Sequence, residues 1–192
     1  SHVDKRVGNI IQTLKDNGLY ENTIIIFAGD NGLAVGQHGL MGKQNVYEHS
    51  VGVPLMIKAA AQHTGKKTAD LCYLIDVFPT LCDMLQLPVP QSVDGISLLS
   101  SLDGKEPVRD YLYYSYMDNQ RGISDGTWKL IEYHVNGKRT TQLFNLKNDP
   151  WERNDLSGQK KYEKTIQRLR EKMAEEQKRT NDTSVFWNNF SY

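Results

Sequence analysis

Asp30, Asn31, His38 and Lys43 fall close together in the chain, and side chains of these types can bind and polarise an oxyanion. Carboxylate and carboxamide oxygens from Asp30 and Asn31 suit a hard cation such as Ca²⁺ or Mg²⁺. His38, in Gly36-Gln37-His38-Gly39, and Lys43, after Gly42, add an imidazole and an ammonium on glycine-rich loops. Such loops let backbone approach an anion closely. Taken singly, Asp30-Asn31-Gly32 also reads as an ordinary turn, and His38 and Lys43 as loop side chains in solvent. Two neighbouring oxygens are too few for a metal site, so the combination carries the reading.

These residues need a rigid element before them. Thr23-Ile24-Ile25-Ile26-Phe27-Ala28 is an unbroken β-branched and aromatic run, which predicts a strand buried on both faces of a parallel sheet. Its carboxyl end delivers Asp30 and Asn31, the end where open α/β sheets hold ligands. Upstream, Val3, Val7, Ile10, Ile11 and Leu14 recur at helical spacing, and Asp16-Asn17-Gly18 supplies a stop. Downstream, Val53–Lys58 reads as a second strand with Pro54 at its start, and Asp76 caps a helix running to Gln86.

After Gly104 the texture becomes tyrosine-rich, with shorter alternating segments, which places a boundary near Lys105. Tyr111–Tyr116, Trp128–His134 and Gln142–Leu146 read as antiparallel strands, and Asn136-Gly137 turns the last two into a hairpin. Tyr162, Ile166, Leu169 and Met173 mark the apolar stripe of a helix from Lys161 to Lys178. Tyr113, Tyr114, Tyr116 and Trp128 could line a sugar site, although packing within this sheet suits them better.

The 192 residues suffice for one sizeable core or a core with a smaller lobe. With 23 basic and 23 acidic side chains, no net field draws nucleic acid or an anionic membrane surface, so neither is an expected partner. No apolar run is long enough to span a bilayer, and no signal peptide is visible. Cys72 and Cys82 belong to no metal-binding or redox spacing and read as small buried apolar residues.

The ordered series from Asn22 through Asp30-Asn31-Gly32, Gly36–Lys43, Tyr47-Glu48 and Val53-Pro54-Leu55 resembles the second half of the sulfatase signature in the alkaline phosphatase superfamily. The likeness continues through Leu74–Leu81, Val93–Leu98, Trp128–Ile131 and Leu143–Glu152, covering nearly the whole chain. It implies the C-terminal part of a mixed, mainly parallel α/β/α core over residues 1–105, then a small antiparallel α+β subdomain with a terminal helix over 106–192.

By that resemblance, Asp30 and Asn31 are two ligands of a divalent cation, usually Ca²⁺, while Lys43 contacts sulfate oxygens and His38 contacts substrate or sulfate. The partners implied are a sulfated small molecule or glycan and the N-terminal part of the same protein. That part would carry the remaining ligands and the nucleophile, a formylglycine made in a Cys/Ser-x-Pro-x-Arg motif. No such motif surrounds Cys72 or Cys82, so this chain is expected to be inactive alone. Gly52 stands where many relatives have arginine, which bears on how the local loop is anchored. Export to a periplasm, a lysosome or the exterior is implied for the complete protein.

Two other readings remain open. A phosphodiesterase or phosphonate-ester hydrolase would use the same scaffold, but commonly with His where this chain has Asn31. A noncatalytic fragment could bind sulfated ligands without turnover.

Overall fold

In the computed structural model, which describes residues 1–59, 65 and 67–184, the expected first helix is α1 (His2–Asp16). Ser1 caps it, its hydroxyl accepting from the Asp4 amide at 3.2 Å, and Gly18 turns the chain out at φ 67°. Its apolar stripe is only partly covered: Val3 and Ile10 are about three-fifths exposed, and Val7, Ile11 and Leu14 are half-buried.

The β-branched run gives β1 (Ile25–Ala28), after which come the two-residue strands β2 (Ala34–Val35) and β3 (Met41–Gly42), the one-turn helix α2 (Glu48–Val51) and β4 (Leu55–Lys58). The expected surroundings of β1 differ from those observed. Its partner among the described residues is β4, aligned antiparallel with Ala28 opposite Leu55, and Phe27 and Ala28 are exposed. An apolar run specifies that a strand needs cover, but neither the direction nor the identity of its neighbours. β2 and β3 form a small antiparallel hairpin whose tip holds His38.

α3 (Val77–Met84) is shorter than the expected helix; Asp76 holds its N-cap position, as expected, but its side chain makes no capping bond to α3. Instead the Asp76 carboxylate accepts from the amides of Tyr73 and Ile96, each at 2.8 Å, and pairs with the Arg109 guanidinium. The short α4 (Leu99–Leu102) follows.

Beyond it, β5 (Leu112–Tyr116), β6 (Gln120–Ser124), β7 (Trp128–Val135) and β8 (Lys138–Asn145) form an antiparallel meander, and α5 (Glu163–Arg179) closes the described chain. Asn136 at φ 53° and Gly137 at φ 75° make the β7–β8 turn, as the Asn-Gly pair predicts. β6 is absent from the sequence reading, because Gln120-Arg121-Gly122 lacks strand-forming side chains.

This sheet is covered on both faces, and alternation along β7 divides its side chains between them. Ile123, Leu130 and Leu143 meet Ile166, Leu169 and Met173 of α5. On the opposite face Ile131 and Phe144 meet Val46 and Tyr47, the segment that follows Lys43. Tyr113 belongs to the first cluster, while Tyr114 and Tyr116 pack against the second and Trp128 packs on Tyr162. These aromatics are therefore core.

Candidate functional site

Asp30 and Asn31 leave the end of β1, and Lys43 leaves the end of β3. The Lys43 ammonium donates to Asn31 Oδ1 at 3.0 Å, and Asn31 Nδ2 donates to the Gly32 carbonyl at 2.7 Å. That second bond fixes the carboxamide, so Asn31 presents its oxygen, the atom a hard cation prefers, on the side of Lys43. Asp30 is exposed beside it. All three line one groove of about 1390 Å³, with Glu48, Arg109 and Tyr114 among its other walls. Among the described residues no three His, Cys, Asp or Glu side chains cluster as a metal cage. The oxygen pair thus fits part of a cation's shell and needs further ligands from elsewhere.

His38 is placed apart from these three. Its ring stacks on Tyr47, with centroids 4.0 Å apart and planes 5° from parallel, and its Nε2–H donates to the Trp151 carbonyl at 3.2 Å. It lines a separate cavity of about 580 Å³ with His49, Trp151 and Arg153, so here it braces the hairpin tip against the segment after β8. Burial is the main cause holding His49 below the usual histidine pKa, with His38 and Lys129 adding to it.

The turn between β1 and β2 is seated on α2. The Gly32 amide donates to the Ser50 carbonyl at 2.9 Å, and a Cβ on Gly32 would lie 2.0 Å from the His49 carbonyl oxygen. No side chain fits without moving α2 or the Asp30–Asn31 turn. We therefore expect Gly32→Ala to lower stability by about 1–3 kcal/mol through overpacking, read as a lower urea midpoint. A midpoint equal to wild type would show that α2 does not abut the turn.

Sequence reasoning assigned no role to a buried charged cluster behind this site. Lys129 on β7 has no solvent exposure; its ammonium lies 2.7 Å from Glu48 Oε1 and 3.1 Å from Glu152 Oε1. The second distance is an ionic contact without the alignment of a hydrogen bond. Burial pushes the Glu152 carboxyl above the usual range, and Lys129 pulls it back. The available signal was a lysine inside the apolar run Trp128-Lys129-Leu130-Ile131, which predicts a buried charge in need of a partner.

An oxygen-donor pair at the end of a strand beside a lysine, in a groove backed by an antiparallel sheet, defines a mixed α/β protein with a polar cleft at a strand end. Comparison with known proteins narrows that class: residues 36–179 match the family described as N-sulphoglucosamine sulphohydrolase, C-terminal, and the chain belongs to it. An N-acetylglucosamine-6-O-sulfatase of Bacteroides thetaiotaomicron is 30% identical over 94% of this chain and 34% of its own length. A solved structure described as complexed with its substrate D-glucosamine-2-N,6-O-disulfate superposes with a TM-score of 0.79, at 29% identity over 94% of this chain and 39% of that one. The phosphonate monoester hydrolase of Agrobacterium radiobacter is similar too, with a TM-score of 0.78 and 26% identity over 90% of this chain and 38% of its own. The chain thus spans little more than a third of these relatives.

The likeness bears out the expected family and the fold class as the C-terminal portion of a sulfatase. No described helix is long and apolar enough to cross a membrane.

Proposed function

We propose that the complete protein is a sulfatase that hydrolyses sulfate esters, converting R–O–SO₃⁻ and water to an alcohol and hydrogen sulfate. This chain supplies one wall of its active site. The observation carrying this reading is the Lys43–Asn31 contact beside Asp30 in one groove. Asp30 and Asn31 would hold Ca²⁺, or Mg²⁺, which when bound withdraws charge from sulfate oxygens. The Lys43 ammonium neutralises charge that grows on those oxygens as the S–O bond breaks. Glu48 and Gly32 act indirectly, by keeping the Asn31 turn and the Lys43 strand end in register.

The nucleophile comes from outside these residues, and a formylglycine is the one proposed. Sulfated amino sugars are the proposed substrate class, because relatives described as acting on or bound to sulfated glucosamines match across nearly the whole chain. Export of the complete protein belongs to the same proposal. Chelation tests the reading: the complete protein should release sulfate from an aryl sulfate and from glucosamine 6-sulfate, lose at least nine-tenths of the rate in EDTA, and regain it with Ca²⁺. The isolated chain should release none. Turnover indifferent to EDTA would overturn the proposal. Faster cleavage of a phosphonate monoester than of either sulfate ester would favour the second reading, which rests on the phosphonate monoester hydrolase likeness.

A further inference from the structure

Lys129 is unusual among the described lysines in having no solvent exposure while carrying a long, charged side chain. Burying an ammonium between carboxylates seldom adds net stability over a well-packed apolar residue of similar volume. What such a cluster can add is geometry, because the bonds that Glu48 makes to Lys129 and to Glu152 are directional and short.

Two arms of this cluster end on the same short helix. The Lys129 ammonium holds the Glu48 side chain at 2.7 Å, while Glu152 Oε2 accepts from the Glu48 backbone amide at 2.6 Å. The first residue of α2 is therefore gripped at both side chain and main chain. The Tyr114 ring, 5.0 Å from the ammonium, closes the cluster from β5.

Both halves of the proposed oxyanion site are tied to this gripped segment. The Asn31 side is fixed through Gly32, whose amide donates to Ser50 O at 2.9 Å and which abuts the His49 carbonyl. The Lys43 side is fixed through buried Asn45, whose amide donates to Lys43 O at 2.9 Å and whose side chain accepts from the Tyr47 amide at 3.1 Å. Glu48 itself faces the groove that holds Asp30, Asn31 and Lys43.

We propose that Lys129 is a positioning residue for this site: from the subdomain sheet it locks α2 through Glu48 and Glu152, and α2 in turn sets the spacing of Asn31 and Lys43. Lys129 touches neither substrate nor cation. Mutating groups that orient reacting or ligating side chains from behind typically costs about 10–100-fold in affinity or activity.

The kinetic arm of the test rests on the sulfatase reading; the exchange arm does not. In the complete protein, Lys129→Met should speed amide hydrogen exchange in residues 30–33 and 45–52 by at least 10-fold, while β8 and α5 change by less than 3-fold. On an aryl sulfate, kcat should fall at least 10-fold with KM moving less than 3-fold, and Lys129→Arg, which keeps the charge, should recover part of kcat. Should Lys129→Met fail to fold, Glu152→Gln keeps the volume and weakens the grip, and the same exchange pattern is expected at a smaller amplitude. Unchanged exchange in residues 30–33 would overturn the proposal, as would a fall in kcat no larger than the loss of folded protein. If wild-type protein releases no sulfate, the sulfatase reading fails, and the exchange measurement still decides whether Lys129 fixes this turn.

Discussion

Lys43→Ala in the complete protein is expected to lower kcat/KM for a sulfate ester by about 10²–10³-fold, the range for removing one aligned charge-stabilising donor from an active site. Lys43 is exposed and its ammonium bonds Asn31, so the unfolding midpoint should stay within about 2 °C of wild type. Surface substitutions away from packed features usually change stability by less than about 0.5 kcal/mol. Lys43→Arg should restore only part of the rate, because a planar fork replaces a compact point charge at the distance set by Asn31. Steady-state kinetics alongside thermal unfolding separate the two effects. A loss under 3-fold would remove Lys43 from the proposed site.

The contrast between what the sequence reveals and what it hides follows from how far apart interacting residues lie. Asp30, Asn31 and Lys43 are legible because one strand end and one short hairpin bring them together locally. α5 is legible because Ile166, Leu169 and Met173 repeat at helical spacing and do become core. The Asn136-Gly137 turn is legible because few other dipeptides tolerate two positive φ angles.

β6 was not legible, since its strand state comes from its neighbours. Gly122 lies between β5 and β7, where a Cβ would meet the Tyr114 ring at 3.3 Å and Val46 at 3.5 Å. A small residue is needed there for packing, against local strand preference. The Lys129 cluster was hidden for another reason: Lys129 and Glu48 are 81 positions apart, and nothing local to either names the other. The motif places His38 near Lys43 in the chain but says nothing of its ring, which the hairpin stacks on Tyr47. The antiparallel partner of β1 was equally invisible, because a continuous apolar run records burial and carries no information about strand direction.

Asp76→Ala should be the most destabilising single change in the α/β part of the chain. The Asp76 side chain is fully buried and that of Arg109 is 5% exposed, and the carboxylate also accepts the Tyr73 and Ile96 amides at 2.8 Å each. Truncation would leave a guanidinium and two backbone donors in the interior without their acceptor, which costs about 3–5 kcal/mol when a buried pair is broken from one side. At about 2–4 °C per kcal/mol for a chain of this size, the unfolding midpoint should fall by roughly 6–20 °C. Asp76→Asn should cost less, since its carboxamide oxygen can keep one amide bond. Asp76→Ala combined with Arg109→Met should recover part of the loss by removing the stranded charge. Measured by urea and thermal unfolding, a single-variant loss below about 1 kcal/mol would mean that water or a rearranged loop replaces the carboxylate. The Ile96 segment would then be held instead by the close fit of Gly95 beneath the Ile75 carbonyl, where a Cβ would come within 2.2 Å.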